Sequence, residues 1–292
     1  MSPQRRVWID TDPAITAGNG EVDDAFALIQ ALRSPELNVV GVSAVFGNCG
    51  IDHTYPMAQE IIRRAGSSDV PVYRGCGEIV TGTTTNSATP ALAIALAVEP
   101  LTILALGPLT TIAATLAERP DLVAHVEEII FVGGRRPGLE FRATSEQTKP
   151  FRDLNFELDP AAAATLIKLG APMTLAGWEV ASKMWLTPDN LDWLAANGDD
   201  CVQWLAQSAR KWQADWMRFF SAPGFTPFDT LAVGWLVAPT LFKSYNCRTS
   251  IDMKNTIPRL IAEADPNESI TYLSAVDSDA FRTDLLARLT VR

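Results

Sequence analysis

The feature that most constrains the fold is the regular alternation of short apolar runs with helical patterns in the first half of the chain. Apolar runs without polar alternation are typical of strands covered on both faces, as in parallel sheets. The predicted strands are residues 7–9, 37–48, 70–73, 101–106 and 127–134, and the predicted helices between them are residues 23–34, 52–65, 88–98 and 110–118. This order predicts an α/β fold with a doubly wound, mostly parallel, Rossmann-like sheet.

The second half of the chain departs from this alternation. Residues 135–159 are polar and too numerous for a simple connector, which is typical of functional or disordered loops. A helix over 160–169 and a strand from residue 172 resume the pattern, and residues 188–220 are helical and rich in tryptophan. Two β-like segments, 241–253 and 269–276, precede a helix over 278–289. We find no repeat or linker and predict one domain, residues 1–292, with a helical elaboration in its C-terminal half.

Composition narrows the classes of partner. Of 292 residues, 47% are apolar, and 24 Lys+Arg against 34 Asp+Glu leave a formal charge of −10. Nucleic acids and anionic membranes require a positive surface, so we expect a small-molecule substrate instead. The four cysteines form no CxxC motif, which suits free thiols in a reducing compartment. Because we recognise no signal peptide or bilayer-spanning run, we predict a cytoplasmic protein.

One stretch, residues 7–28, gathers carboxylates at the end of the first predicted strand. Asp10 and Asp12 end the apolar run, and Asp23 and Asp24 open the first helix after a turn rich in glycine and asparagine. Four neighbouring carboxylates repel one another unless a cation or a shared proton neutralises them. Ligands of doubly wound sheets bind beyond the carboxyl ends of the strands, where Asn48 also falls. The stretch therefore predicts a divalent metal site.

Each of these residues also has a purely structural interpretation. The first aspartate pair alone is compatible with an Asx turn, and the second pair alone with helix capping. Asn48 is as compatible with a turn as with a site, and Asp229 alone reads as a helix N-cap. Only the joining of both aspartate pairs to one strand end favours a site.

The motifs IDTDP and DDAFAL resemble the N-terminal signature of the inosine-uridine-preferring nucleoside hydrolase family. The similarity continues in order through VFGN, LGPLTTIAATL, FVGG, DLNFELDPAAA and FDTLAV. It implies the Rossmann-like nucleoside hydrolase fold and a Ca²⁺-dependent N-glycosidase that hydrolyses ribonucleosides to ribose and free base through metal-activated water. It also implies a homo-oligomer, because family members are commonly dimers or tetramers.

The resemblance further implies roles for individual residues. Asp12 would be both general base and metal ligand, and Asp10 would support the site from behind. The remaining metal ligands would be Asp24, the backbone carbonyl of Leu106, and Asp229. Ribose hydroxyls would be bound by Asp23, Asn48, Asp153 and Asn155. Calcium takes about six to eight oxygen ligands, which leaves positions for water and sugar hydroxyls. A strongly negative pocket would stabilise a transition state that resembles an oxocarbenium ion.

Three departures from the family pattern stand out. Ten residues, 13–22, separate the DP aspartate from the DD pair where the family usually has three, and Glu21 in this loop reads as a solvated charge. Phe228 replaces the histidine that protonates the departing base in many family members. Asp153 occupies a position where the family generally has glutamate. Both histidines, His53 and His125, are predicted on helices. Candidate residues on the base side are therefore Glu179, Trp212, Trp216 and Phe228. Either tryptophan taken singly is also compatible with ordinary packing in the hydrophobic core.

Two other functions stay open from the sequence. A catalytically altered family member would bind or cleave another ribosyl or N-glycosidic compound. A Mg²⁺-dependent phosphohydrolase of the haloacid dehalogenase type also begins with a strand that ends in DxD. That motif requires Thr or Val two residues after the second aspartate, where this chain has Ala14.

Overall fold

A computed structural model describes residues 4–18, 20–80, 85–253 and 257–291; Asn19, in the predicted acidic loop, lies outside the described residues. The strands are β1 (Arg5–Thr11), β2 (Leu37–Ala44), β3 (Val72–Arg74), β4 (Leu101–Ala105), β5 (Val126–Phe131), β6 (Met173–Leu175), β7 (Phe242–Asp252), β8 (Arg259–Ala264) and β9 (Ile270–Val276). The α-helices are α1 (Asp23–Leu32), α2 (Ile51–Arg64), α3 (Ala88–Val98), α4 (Thr110–Glu118), α5 (Leu154–Leu158), α6 (Pro160–Lys168), α7 (Trp178–Ala181), α8 (Pro188–Asn197), α9 (Asp200–Phe220), α10 (Thr230–Val237) and α11 (Ser278–Thr290).

The described strands form one sheet in the order β3-β2-β1-β4-β5-β6-β9-β7-β8. Strands β1 to β6 are parallel, β9 is parallel to β6, and β7 is antiparallel to both of its neighbours. The prediction of a doubly wound, mostly parallel sheet is confirmed. Strand order reverses between β1 and β4, and in open α/β sheets ligands bind at this switch point.

Strand β1 lies in the middle of the molecule and is covered on both faces. Val7 and Ile9 pack into a core that includes α1, α9 and α10, while Trp8 packs into a second core that includes α3, α4 and α6. Alternate side chains of a strand point to opposite faces, so a strand with helices on both sides must be apolar throughout. Asp10 and Asp12 follow on the same face as Trp8, at the carboxyl end of β1.

Most predicted elements are present, but some elements were missed and some strands were predicted too long. The helix at Thr110–Glu118 has the predicted bounds, whereas β2 ends at Ala44 because the chain turns there towards the site. Strand β8 was not predicted, since RLIAEA is short and its pattern fits a helix equally well. Helix α5 lies inside the predicted polar loop. His125 belongs to a 3-10 helix, Pro120–His125.

Two expectations about environment can be compared with the structure. No disulfide joins the four cysteines, all of which lie within the described residues. Within the described part of the chain, no helix combines the length and the apolarity needed to cross a lipid bilayer.

Candidate active site

A cavity of about 600 Å³ opens beyond the carboxyl ends of β1, β4 and β5. Two groups of side chains with opposite character lie at this cavity. The acidic cluster consists of Asp10, Asp12, Glu21, Asp23, Asp24 and Asp229; Glu21, Asp23 and Asp229 line the cavity, and the other three are buried and do not line it. The aromatic wall consists of Phe141, Phe151, Trp178, Trp212, Trp216, Phe220 and Phe228.

Asp12 is held at the end of β1 by two close backbone turns. Its Oδ2 accepts a hydrogen bond from the backbone N–H of Asn48 at 2.6 Å, while its Oδ1 has no partner among the described residues. A Cβ at Gly47 would lie 1.9 Å from Oδ2, and one at Gly107 would lie 2.8 Å from Oδ1. Both positions therefore require glycine. Burial, and next the charge of Asp24, raise the pKa of Asp12 well above its usual value.

Asp24 and Asp10 lie behind Asp12 and are fully buried. One oxygen of Asp24 accepts from the Thr11 hydroxyl and, at 2.9 Å, from the backbone N–H of Asp12. One oxygen of Asp10 accepts from the Ser43 hydroxyl. Burial raises the pKa of Asp24 to about 6 and that of Asp10 to about 8. The second oxygen of each carboxyl has no partner in the described structure.

Asp229 completes the cluster from the opposite side, at the N-terminus of α10. Its carboxylate makes no capping hydrogen bond to that helix, so the interpretation as a plain N-cap is wrong. Burial raises the pKa of Asp23, and the nearby backbone N–H groups of Phe228 and Asp229 oppose that rise, so the start of α1 lies beside the start of α10. Burial raises the pKa of Asp229, and the charges of Asp23, Asp24 and Asp12 raise it further.

Glu21 was expected to be a solvated loop charge, and this prediction is wrong. The residue is only 5% exposed and lines the cavity. Oxygens of Glu21, Asp23 and Asp24 lie within 4.8 Å of one another, and Asp12 and Asp229 do not belong to this tightest group. The loop folds back over the site, so its carboxylate joins the cluster.

The acidic cluster fits a hard divalent cation. Buried carboxylates that raise one another's pKa require neutralisation, and three of their oxygens have no partner within the described residues. An all-oxygen donor set is the one that Ca²⁺ and Mg²⁺ prefer. The structure thus brings the predicted metal residues together.

Asn155 connects the predicted carbonyl ligand to the sugar side of the cavity. Its Nδ2 donates to the backbone carbonyl of Leu106 at 2.5 Å and to that of Val132 at 3.1 Å. Both Asn155 and Leu106 line the cavity. A carbonyl oxygen has two lone pairs, so the bond from Asn155 orients the Leu106 carbonyl and leaves one lone pair for a ligand.

Asp153 lies on the same side, above a buried ion pair that the sequence did not reveal. Its Oδ2 accepts from the backbone N–H of Gly134 at 2.9 Å, and burial raises its pKa to about 6 against the opposing charge of Arg135. Arg135 lies 3.8 Å from Glu157, and both side chains are at most 5% exposed. The only available signal was their position directly after β5 and beside the DLNFE motif.

The aromatic wall closes the other end of the cavity. Ring centroids are 4.7 Å apart for Phe151 and Phe220 and 6.0 Å apart for Trp212 and Trp216. Phe228 lies 5.9 Å from Trp216, and further ring contacts join the remaining members. Trp212, Trp216 and Phe228 all line the cavity, and their position on the base side stays a prediction.

The structure corrects the prediction for Glu179. Its carboxylate accepts from the Tyr272 hydroxyl, and Arg136 Nε lies 2.9 Å from its other oxygen, outside hydrogen-bond alignment. Glu179 is not among the described cavity-lining residues, because α7 turns this side chain towards β9. No described residue that lines the cavity is a histidine. His53 Nε2 instead contacts the backbone carbonyl oxygen of Ile15 at 2.9 Å.

Curated relatives match along most of the chain. A non-specific ribonucleoside hydrolase of Escherichia fergusonii is 26% identical over 276 residues, covering 84% of this chain and 83% of its own. A pyrimidine-specific ribonucleoside hydrolase of a Shewanella species is 28% identical, covering 97% and 95%.

Solved structures agree on the fold. A purine-preferring ribonucleoside hydrolase from Gardnerella vaginalis superposes with a TM-score of 0.86 at 22% identity, covering 98% of both chains. A plant nucleoside hydrolase gives 0.83 at 22% identity, covering 99% of this chain and 100% of its own. The model of the family "Inosine-uridine preferring nucleoside hydrolase" matches residues 7–283, which excludes the phosphohydrolase alternative. The chain belongs to this family and is a hydrolase of N-glycosidic bonds.

Proposed function

We propose that the chain is a Ca²⁺-dependent N-glycosidase that cleaves ribonucleosides to ribose and a free base. The observation that carries the proposal is the double character of the 600 Å³ cavity, whose lining combines carboxylates of the acidic cluster with the rings of the aromatic wall. A ribonucleoside has the matching polarity, with a polyhydroxyl sugar joined to a flat π-system. Relatives described as non-specific, pyrimidine-specific and purine-preferring ribonucleoside hydrolases support this substrate class.

Asp12, Asp24, Asp229 and the Leu106 carbonyl would hold the cation, and Asp10 would support them. The ion, when bound, would neutralise these carboxylates and lower the pKa of a neighbouring water. We propose calcium because the resemblance to the family implies it, and because calcium takes about six to eight oxygen ligands, which leaves positions for water and sugar hydroxyls.

The protein's own groups would then perform the reaction. Asp12, at the end of β1, would accept the proton of the attacking water. Asp23, Asn48, Asp153 and Asn155 would orient the sugar hydroxyls, so that binding energy assists the reacting carbon. Positive charge that develops on the sugar would be stabilised by the surrounding carboxylates.

The aromatic wall would bind the base and assist its departure. Because no described cavity-lining residue is a histidine and Glu179 faces away, we assign leaving-group activation to ring stacking together with water. Stacking of a base on aromatic side chains contributes about 1–3 kcal/mol per base.

A product assay tests the proposal. Purified protein with Ca²⁺ is incubated with inosine, adenosine, guanosine, uridine and cytidine, and free base and ribose are quantified. We expect equimolar base and ribose from at least one ribonucleoside, with turnover stopped by a chelator and restored by Ca²⁺. Ribose binding without release of any base would instead support a catalytically altered family member.

The oligomeric state and the cellular location of the protein stay predictions. A homodimer or homotetramer would be detected by light scattering of the purified protein. Cytoplasmic location would be detected by fractionation of the source cells.

A further inference from the structure

Glu21 bridges the two chain segments that form the sugar side of the cavity. One carboxylate oxygen accepts from the backbone N–H of Asp23, at the start of α1. The other accepts from Asn48 Nδ2 at 3.0 Å, in the segment that follows β2. Glu21 is 5% exposed and lines the cavity. The long loop over residues 13–22 is therefore anchored at its end by its own carboxylate.

This bridge decides which atom of Asn48 faces a ligand. The amide nitrogen of Asn48 donates to Glu21 at 3.0 Å. A carboxylate can only accept, so the nitrogen must be the atom that faces it. The amide oxygen takes no hydrogen bond from the described residues, and Asn48 lines the cavity. Asn48 thus offers an acceptor.

The side-chain amide of Asn155 is oriented in the same way, but by backbone carbonyls instead of a carboxylate. Its amide nitrogen is occupied by the carbonyls of Leu106 and Val132, which leaves its oxygen for a ligand. With the carboxylates of Asp23 and Asp153, this side of the cavity presents hydrogen-bond acceptors. Sugar hydroxyls, as donors, are the groups that such a surface recognises.

We propose that Glu21 is a positioning residue of the sugar site, which fixes Asn48 with its amide oxygen towards a ribose hydroxyl. The inference rests on the proposed function for the identity of the ligand. The proposal also gives the ten-residue loop a function. A short turn fixes the positions of the carboxylates that flank it, whereas this longer loop is held by the hydrogen bonds of Glu21.

Exchanging the carboxylate of Glu21 with the amide of Asn48 provides the sharpest test. Glu21→Gln places an amide nitrogen against that of Asn48, so the Asn48 amide turns and presents a donor to the substrate. We expect kcat/KM for a ribonucleoside to fall about 10- to 100-fold, the effect of one hydrogen bond that involves a charged group. Asn48→Asp alone places two carboxylates together and should be at least as harmful. The double variant Glu21→Gln with Asn48→Asp restores a donor–acceptor pair at unchanged total charge, and we expect recovery to within about fivefold of wild type.

Controls separate positioning from folding. Glu78→Gln changes an exposed glutamate outside the cavity and should behave as wild type. Circular dichroism melting checks the fold of each variant, and calorimetric binding of D-ribose gives a readout without turnover, expected to follow the same order. A double variant no better than the worse single variant, or Glu21→Gln within twofold of wild type, would overturn the inference. If wild type releases no base, the proposed function fails, while ribose binding still decides the role of Glu21.

Discussion

The two ends of the cavity are built by different kinds of interaction. Residues of the acidic cluster are fixed by directional hydrogen bonds to the backbone, as for Asp12 with the N–H of Asn48 and Asp24 with the N–H of Asp12. The side chains of the aromatic wall contact one another through their rings, and the neighbouring Phe219 is 63% accessible. Fixed geometry thus surrounds the proposed bond-breaking chemistry, while adaptable packing surrounds the proposed base.

This contrast predicts that substitutions in the acidic cluster affect kcat and metal binding, whereas substitutions in the aromatic wall affect KM and base preference. Electrostatic stabilisation and proton transfer require atoms at set positions. Stacking tolerates different bases because every base has a π-face.

Asp12→Asn should have the largest effect, because it removes the proposed general base. We expect kcat to fall by about 10²- to 10⁴-fold, the usual contribution of general base catalysis. The metal-free protein should not melt earlier, since the substitution removes one of several mutually repelling carboxylates. Near-normal kcat would refute the assigned role of Asp12.

The metal-free protein should lose stability as pH rises. The pKa of Asp24 in the folded protein, about 6, and that of Asp10, about 8, lie above the usual range of aspartate, because burial disfavours the charged forms. Stability is therefore highest when these groups are protonated, and it declines from about pH 4 until the pH passes the folded-state values. Each pH unit by which a folded-state pKa exceeds the unfolded-state pKa corresponds to about 1.4 kcal/mol of lost stability.

Thermal melting between pH 5 and pH 8.5 checks this expectation. We expect the melting temperature in chelator to fall with pH, and excess Ca²⁺ to reduce the fall because it binds the native cluster. Identical curves with and without Ca²⁺ would count against a metal site in the acidic cluster.

Trp212→Ala tests the aromatic wall. Loss of one stacking partner should lower kcat/KM by about 1–3 kcal/mol, or roughly 5- to 150-fold, mainly through KM. Trp193→Ala is the matched control, because Trp193 is 41% exposed on α8 and does not line the cavity. An equal loss in both variants would show that tryptophan removal acts on the fold and not on the base.

Phe228→His should have the smallest effect. The Phe228 ring lies 5.5 Å from that of Trp178 and 5.9 Å from that of Trp216, so a smaller polar ring weakens the wall. We expect kcat/KM to fall by less than about tenfold, consistent with loss of one modest ring contact. A rise in kcat would reveal that a leaving-group acid is missing and that stacking alone is insufficient.

The acidic cluster was largely predictable because strand ends are readable in sequence. Asp12 ends an apolar run, Leu106 directly follows another, and Asp24 opens a helix, so the rule for parallel sheets brings them together. Asp229 had no such signal, and only the similarity of its motif to the family pointed to it. A mostly parallel sheet follows from the same alternation, whereas β8, whose pattern is ambiguous, was not predicted.

The remaining features of the site depend on how the loops fold, and local sequence patterns do not encode this. Burial of Glu21 arises because the loop turns back onto the segment around Asn48. Phe141 and Phe151 come from the polar segment after β5, where nothing in the sequence indicated that they would meet Trp178. The direction of Glu179 depended on Tyr272 in β9, nearly a hundred residues away.

The most direct test of the central claim is a crystal structure of the protein with Ca²⁺, recorded with anomalous scattering. We predict one peak within about 2.3–2.6 Å of oxygens of Asp12, Asp24, Asp229 and the Leu106 carbonyl, the usual calcium–oxygen distances. A peak bound by Glu21, Asp23 and Asp24 without Asp12 or Asp229, or no peak at saturating Ca²⁺, would contradict it.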